Sequence, residues 1–104
     1  MKVKICKTLL SQSRGLMFSK RRNLLFIFKT PRYVGLHMLF VFFPVDALYI
    51  DENGKIVEIK RMKPFRPYYK SKNKVKYVLE LAEKHNFNVG DKLKFKDNEV
   101  DKMN

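Results

Sequence analysis

The stretch from Leu36 to Ile59, LHMLFVFFPVDALYIDENGKIVEI, constrains the fold more than any other part of the chain. A long apolar run is interrupted once, at Pro44-Val45-Asp46, and then reverses at Asp51-Glu52-Asn53-Gly54. The run from Val34 to Val45 would span only about 18 Å as a helix, well short of a ~30 Å hydrocarbon core. It also contains His37 and ends at a proline, so buried strands are expected rather than a membrane span. Residues 36–43 read as one such strand. Pro44 has no N–H for a sheet ladder, so pairing stops or bulges there. Leu48 to Asp51 and Lys55 to Lys60 then form a hairpin. Its turn suits type I geometry, with Gly54 at the left-handed position of a bulged three-residue loop.

The other segments extend this β-rich reading. Lys2 to Cys6 alternates with period two and predicts a half-buried strand. Ser11 to Phe18 starts a short helical turn capped by Ser11 or Ser13. Lys20 to Asn23 is an exposed turn. Leu24 to Phe28 is a buried strand broken at Thr30-Pro31-Arg32. Met62 to Lys74, with Pro64 and Pro67, reads as an extended surface loop. Val75 to Leu81 fits both periods, and its β-branched and aromatic content favours a strand. A short helix through Glu83-Lys84-His85 is expected after it. Val89-Gly90-Asp91 is a turn feeding a strand at Lys92 to Phe95, and the tail 97–104 is expected to fray. At 104 residues the chain predicts a single domain over 1–104.

Several of these pieces occur together, and in this order, in a known family. Arg14-Gly15-Leu16-Met17-Phe18 comes first, then Met38, Pro44-Val45-Asp46 and the Ile50-Asp51-Glu52-Asn53-Gly54 hairpin. A proline-and-tyrosine loop follows from Pro64 to Tyr69, then Tyr77 to Leu81 and Val89-Gly90-Asp91. The chain resembles the small conserved proteins of domain of unknown function 192. The resemblance implies a mainly β (α+β) domain, a compact distorted antiparallel β-barrel with one or two short helices, and no established activity. Many relatives read Met-Lys-Asn-Thr where this chain has Met38-Leu39-Phe40-Val41, so any site built on those polar side chains is missing here. Many bacterial relatives are exported, whereas the N-terminus here lacks a continuous signal-peptide core, and a cytoplasmic location is expected.

Charge distribution says more than net charge. Residues 1–33 carry nine Lys/Arg and no acid, and residues 60–78 carry eight and no acid. The segment between them holds four acids and one lysine, and the C-terminal 26 residues are nearly balanced. Two purely basic tracts thus flank an acidic, apolar centre. One reading is a solvated lysine-rich surface of the kind found in heat-adapted proteins, although only five glutamates accompany the lysines. The other is an anionic partner, RNA or another polyanion, met by Lys20, Arg21, Arg22 and Arg32 from the first tract and Arg61, Lys63, Arg66, Lys70 and Lys72 from the second. Phe65 to Lys70 interleaves rings with charge, which suits base stacking, but no recognised RNA-binding signature accompanies it, so Phe65 and Tyr68 are expected rather to pin the loop to the domain.

The sequence offers little for catalysis. Cys6, His37 and His85 lack ligand spacing, so no metal and no cofactor is expected, and His85 reads as a solvent-facing helix residue. A lone cysteine excludes an internal disulfide. No serine sits in a nucleophile elbow, and the four glycines stand apart. Asp46 is the sharpest polar candidate, because an unpaired acid between Val45 and Ala47 is costly to bury. Arg14 or Arg66 is the expected partner, by bidentate geometry, and a purely structural anchor is the favoured reading of such a pair over a ligand site. The first functional reading is therefore a monomeric, non-enzymatic ligand-binding or accessory domain for an unknown small ligand or protein partner, with a site at Arg14, Asp46, Arg66 and Tyr68. Polyanion binding is the alternative. An enzyme built from scattered acids and tyrosines has least support.

Overall fold

A five-stranded sheet with apolar side chains packed on both faces forms the centre of the protein. The computed structural model describes residues 1–6, 23–36, 44–64 and 69–103, with Cys6 and Leu36 described by backbone alone. The strands are β1 (Lys4–Cys6), β2 (Leu24–Arg32), β3 (Gly35–Leu36), β4 (Val45–Ile50), β5 (Ile56–Met62), β6 (Tyr69–Lys70), β7 (Val75–Leu81), β8 (Leu93–Lys96) and β9 (Glu99–Lys102). The main sheet runs β1-β2-β7-β4-β5, while β3 pairs with β6 and β8 with β9. Among the described residues only the β1–β2 pair is parallel.

Double-sided burial explains the sequence pattern. Strands covered on both faces read as continuous apolar runs instead of alternating ones. Ala47 to Ile50 are all buried, as are Leu24 to Phe26 and Val78 to Leu81. One face gathers Leu24, Phe26, Val34, Val45, Ala47, Tyr49, Met62, Val75 and Val78. The other gathers Leu25, Leu48, Ile50, Ile56, Leu79 and Leu81 with Phe87, Leu93 and Val100.

The β8–β9 hairpin lies against this second face and reaches both edges of the sheet. Val3 N–H donates to the Asn98 carbonyl and Val100 N–H to the Met1 carbonyl, each at 2.8 Å. Toward the other edge, Leu93 N–H donates to the Gly54 carbonyl at 2.8 Å. These contacts amount to the isolated bridges Lys2 to Glu99 and Lys55 to Lys92, so the architecture is barrel-like without continuous ladders all round.

Four expectations are corrected. No helix occurs among the described residues. At Glu83-Lys84-His85 the chain bends instead: Ala82 N–H is taken by Asn23 Oδ1 and His85 is held by Asp46, and three residues cannot offset helix nucleation. The helical turn placed on Ser11 to Phe18 and the strand placed on 36–43 lie largely outside the described residues. Thr30-Pro31-Arg32 does not end β2. Residues 28–31 of β2 bulge opposite the single residue Lys76 of β7, and pairing resumes at Arg32 with Val75. A bulge is where a strand tolerates proline. The loop after Met62 contains the short strand β6. Finally, the tail read as frayed holds β9. Asp97 turns the chain at φ +53°, a region that aspartate tolerates, and Val100 is completely buried.

The expected hairpin joins β4 to β5. Asp51 Oδ1 accepts the N–H groups of Asn53 and Lys55, both at 2.9 Å. Gly54 sits at φ +83°, and a Cβ placed there would lie 2.8 Å from the Leu93 carbonyl oxygen. Its backbone freedom and its missing side chain are therefore both used. Gly54→Ala is expected to cost at least about 1–3 kcal/mol, measured by urea denaturation, because it strains the turn and pushes β8 away.

Candidate functional site

Asp46 is the second residue of β4 and sits directly across from Arg61 of β5. The pairing depends on a bulge. Ile50 faces Ile56, but a register shift between Tyr49 and Ile50 sets Tyr49 against Glu58 and so Asp46 against Arg61. Without that shift, Asp46 would face Lys60. Arg61 Nη1 donates to Asp46 Oδ1 at 3.0 Å, and His85 Nε2 lies 2.7 Å from Oδ2. The guanidinium on Asp46 is thus that of Arg61; Arg14, Arg66 and Tyr68 lie outside the described residues.

His85 is not the solvent-facing residue expected from the sequence. Its side chain is only 9% exposed and stacks on Phe87, which enters the second core face. Phe87 N–H donates to His85 Nδ1 at 3.1 Å. A neutral ring that accepts at Nδ1 carries its proton on Nε2, the nitrogen that faces Asp46. Both ring nitrogens are therefore occupied, which leaves no lone pair for general-base work. Burial alone would push the Asp46 carboxyl up. Hydrogen bonds from Arg61 and His85, with the Arg61 charge beside them, outweigh burial and hold it below the ordinary carboxylate range. An open cleft of about 510 Å³ adjoins the group, lined by Pro44, Asp46, Arg61, Ala82, Glu83, Lys84 and His85. Among the described residues no three His, Cys, Asp or Glu side chains gather as they would around a metal, and no helix is long and apolar enough to cross a membrane.

Toward the opposite end of the sheet, the described end of the first basic tract meets residues 69–75 of the second. Pairing of β3 with β6 sets Gly35 against Lys70, and Arg32 of β2 faces Val75 of β7. Ser71, 4% exposed, ties the tracts together: its Oγ accepts Val34 N–H at 3.0 Å and donates to the Asn73 carbonyl at 2.9 Å, while its own N–H donates to the Val34 carbonyl. Val34 points into the core, and its neighbour Tyr33 stands 47% exposed. The amines of Lys70 and Lys74 lie 5.5 and 6.0 Å from the Tyr33 ring centre. Arg32 lies over Phe28, and Lys76 Nζ donates to the Lys29 carbonyl.

The candidate cations named from the sequence therefore divide. Arg32 and Lys70 belong to this patch, with Lys72 in the adjoining loop. Arg61 and Lys63 lie at the other end of the sheet, beside Asp46 and after Met62. Lys20, Arg21, Arg22 and Arg66 lie outside the described residues. The sequence assigns no role to Tyr33 or Ser71 and places His85 in solvent. The Lys70-Ser71-Lys72 order and the aromatic next to Arg32 were the local signals.

The Asp46 group behaves as an anchor in one respect that stability measurements can read. Because its pKa is depressed on folding, it adds stability that is fully present above the unfolded value of about 3.9 and is lost as pH falls through the lower folded value. Asp46→Asn is expected to lower stability at neutral pH by about 1–2 kcal/mol and to flatten the decline below about pH 4. His85→Ala should cost more than Arg61→Ala, since the Arg61 side chain is 61% exposed and an exposed pair contributes under about 1 kcal/mol. Urea titrations across the pH range check both.

Comparison with known proteins agrees with this fold. The chain matches the DUF192 family, described as Uncharacterized ACR, over residues 1–95. A UPF0127 protein of Thermococcus sibiricus is 32% identical over 83 residues, covering 76% of this chain and 53% of the relative. One from Pyrococcus horikoshii is 31% identical over 100 residues, covering 89% and 86%. The chain thus spans about half the length of the Thermococcus relative. Among solved structures, a Sinorhizobium meliloti protein provisionally named a transcription regulator superposes with a TM-score of 0.70 at 29% identity, over 77% of this chain and 67% of that one. A protein of unknown function from Novosphingobium aromaticivorans shares the fold alone, with a TM-score of 0.68 at 19% identity over 75% and 60% of the two chains. The ordered motifs, the double-faced sheet and these matches lead to one statement: the chain belongs to the DUF192 (UPF0127) family.

Proposed function

We propose that the protein is a non-enzymatic binding domain that engages a polyanion through the basic patch around Tyr33. The observation that carries this reading is that Lys70 and Lys74, from one basic tract, lie over an exposed ring from the other. Lys70 and Lys74 are thereby set beside the chain neighbour of Arg32, and contiguous cations attract a polyanion far more strongly than dispersed ones. Compensation is also uneven. Lys94 and Lys96 sit opposite Asp101 and Glu99 in the β8–β9 hairpin. The described ion pairs employ Met1, Arg61, His85 and Lys102, and none of the patch cations. Glu58, the acid near this surface, bonds the Tyr69 hydroxyl and the Lys72 N–H. A polyanion partner is compatible with the provisional naming of the Sinorhizobium meliloti protein.

A small-ligand site at Asp46 has less support. Both carboxylate oxygens and both ring nitrogens of His85 are engaged by protein groups. What remains there for a ligand is the open cleft with Arg61 and Lys84 on its wall.

Binding of a labelled mixed-sequence RNA, followed by anisotropy, tests the polyanion reading. The logarithm of affinity should fall linearly with the logarithm of salt, with a slope of about −2 to −4 for three to five neutralised phosphates. The double reversal Lys70→Glu with Lys74→Glu should weaken binding by about tenfold or more at roughly 100 mM salt, and Lys94→Glu with Lys96→Glu should change it by less than about twofold. Equal losses from the two pairs, or no binding at that salt, would overturn the proposal.

A further inference from the structure

We infer that Tyr33 is a stacking platform for a base of a single-stranded nucleic acid, with the flanking phosphates held by Arg32, Lys70 and Lys74. This rests on the polyanion reading and narrows it. A polyanion held by charge alone needs cations but no aromatic surface. Here a phenol ring stands half exposed beneath two lysines, although its chain neighbour Val34 is buried among Tyr49, Val75 and Val78.

The backbone that carries the ring is held on both sides. Ser71 and the β3–β6 pairing fix it after Tyr33, and the pairing of Arg32 with Val75 fixes it before. The bulge at residues 28–31, with Pro31 inside it, sets the direction in which the strand delivers Arg32 and Tyr33. An aromatic held in this way loses little conformational freedom when a ligand stacks on it.

Magnitudes decide whether the lysines would block the ring. A lysine over an exposed aromatic contributes about two- to fivefold to an equilibrium constant. A base stacked on an aromatic contributes about five- to a hundredfold. A base therefore displaces an amine from the ring face, and the freed amine is already within reach of the phosphate beside that base. The lysines hold the ring clear of other contacts in the free protein and become phosphate ligands in the complex. Duplexes keep their bases stacked internally, so this surface discriminates in favour of single strands.

The test uses three nucleic acids of equal phosphate count: a single-stranded oligouridine, its abasic counterpart, and a duplex. The wild-type protein should bind the oligouridine about tenfold more tightly than the abasic strand. Tyr33→Phe should keep that difference. Tyr33→Ala and Tyr33→Leu should abolish it while leaving abasic-strand affinity and its salt slope unchanged. At 47% exposure the residue tolerates these changes without unfolding, and a thermal melt of each variant verifies this. Equal, salt-dependent binding of the base-bearing and abasic strands would overturn the stacking role and leave the polyanion reading standing. Failure to bind any of the three would remove both. Duplex bound as tightly as single strand, or anionic vesicles bound as tightly as RNA, would likewise overturn the inference.

Discussion

The structure depends first on the pairing of β4 with β7, from Asp46 opposite Leu81 to Ile50 opposite Tyr77. Both strands are interior to the sheet, and apolar side chains cover both of their faces. Hydrophobicity alone fixes such a register poorly. If β4 slipped by one residue, its side chains would exchange faces, and one apolar set would replace another. Asp46 removes that ambiguity. In the observed register it meets Arg61 and His85 at the rim of the second face. On the opposite face it would take the place of Val45 or Ala47, both fully buried, without a partner. An unpaired charge in that position costs several kcal/mol, far more than the apolar exchange returns.

His85 extends the same constraint to the next segment. The chain leaving β7 at Leu81 must cross to β8, and it follows the second face. Asn23 takes Ala82 N–H and Glu83, Asp46 takes His85, and Phe87 fills the core beneath. Three short polar contacts therefore do the work that a helix was expected to do. Once Phe87 is seated, Asn88 to Asp91 turn the chain, and Gly90 N–H meets the Ile56 carbonyl. The β8–β9 hairpin arrives where Gly54 leaves room for Leu93.

What was legible in the sequence follows from the range of the interactions. The Asp51 to Gly54 turn is decided by residues two to four apart, and it could be read directly. So could β7, because the β-branched and aromatic content of Val75 to Leu81 breaks a tie between two periods. The partner of Asp46 was not legible. It depends on a one-residue bulge that no local residue type announces, and on a histidine 39 residues away. The strand β9 was missed because Glu-Val-Asp-Lys has one apolar residue, and its burial depends on the chain's first residues. Pro31 was read as a strand end, which holds for a regular ladder but not for a bulge. Which described cations come together was a question of topology: β3, β6 and Ser71 bring Lys70 and Lys74 to Tyr33, while Arg61 lies across from Asp46.

The basic tract from Lys60 to Lys76 shows why sequence runs of charge mislead. Along β7, the position level with Arg61 and Asp46 is Leu81, and the position level with Arg32 is Val75. Six residues of strand separate them, about 20 Å at 3.4 Å per residue. The Debye length at physiological ionic strength is about 8 Å. Cations at the two ends of the sheet therefore act independently, despite their closeness in sequence. Arg61 is held by an acid that the register requires. Lys70 and Lys74 lie instead over Tyr33, a ring from another part of the chain that the fold leaves exposed. Net charge of +13 is consequently a poor guide to this surface. The contribution of each lysine depends on which strand end it occupies and on whether an acid lies across the ladder from it.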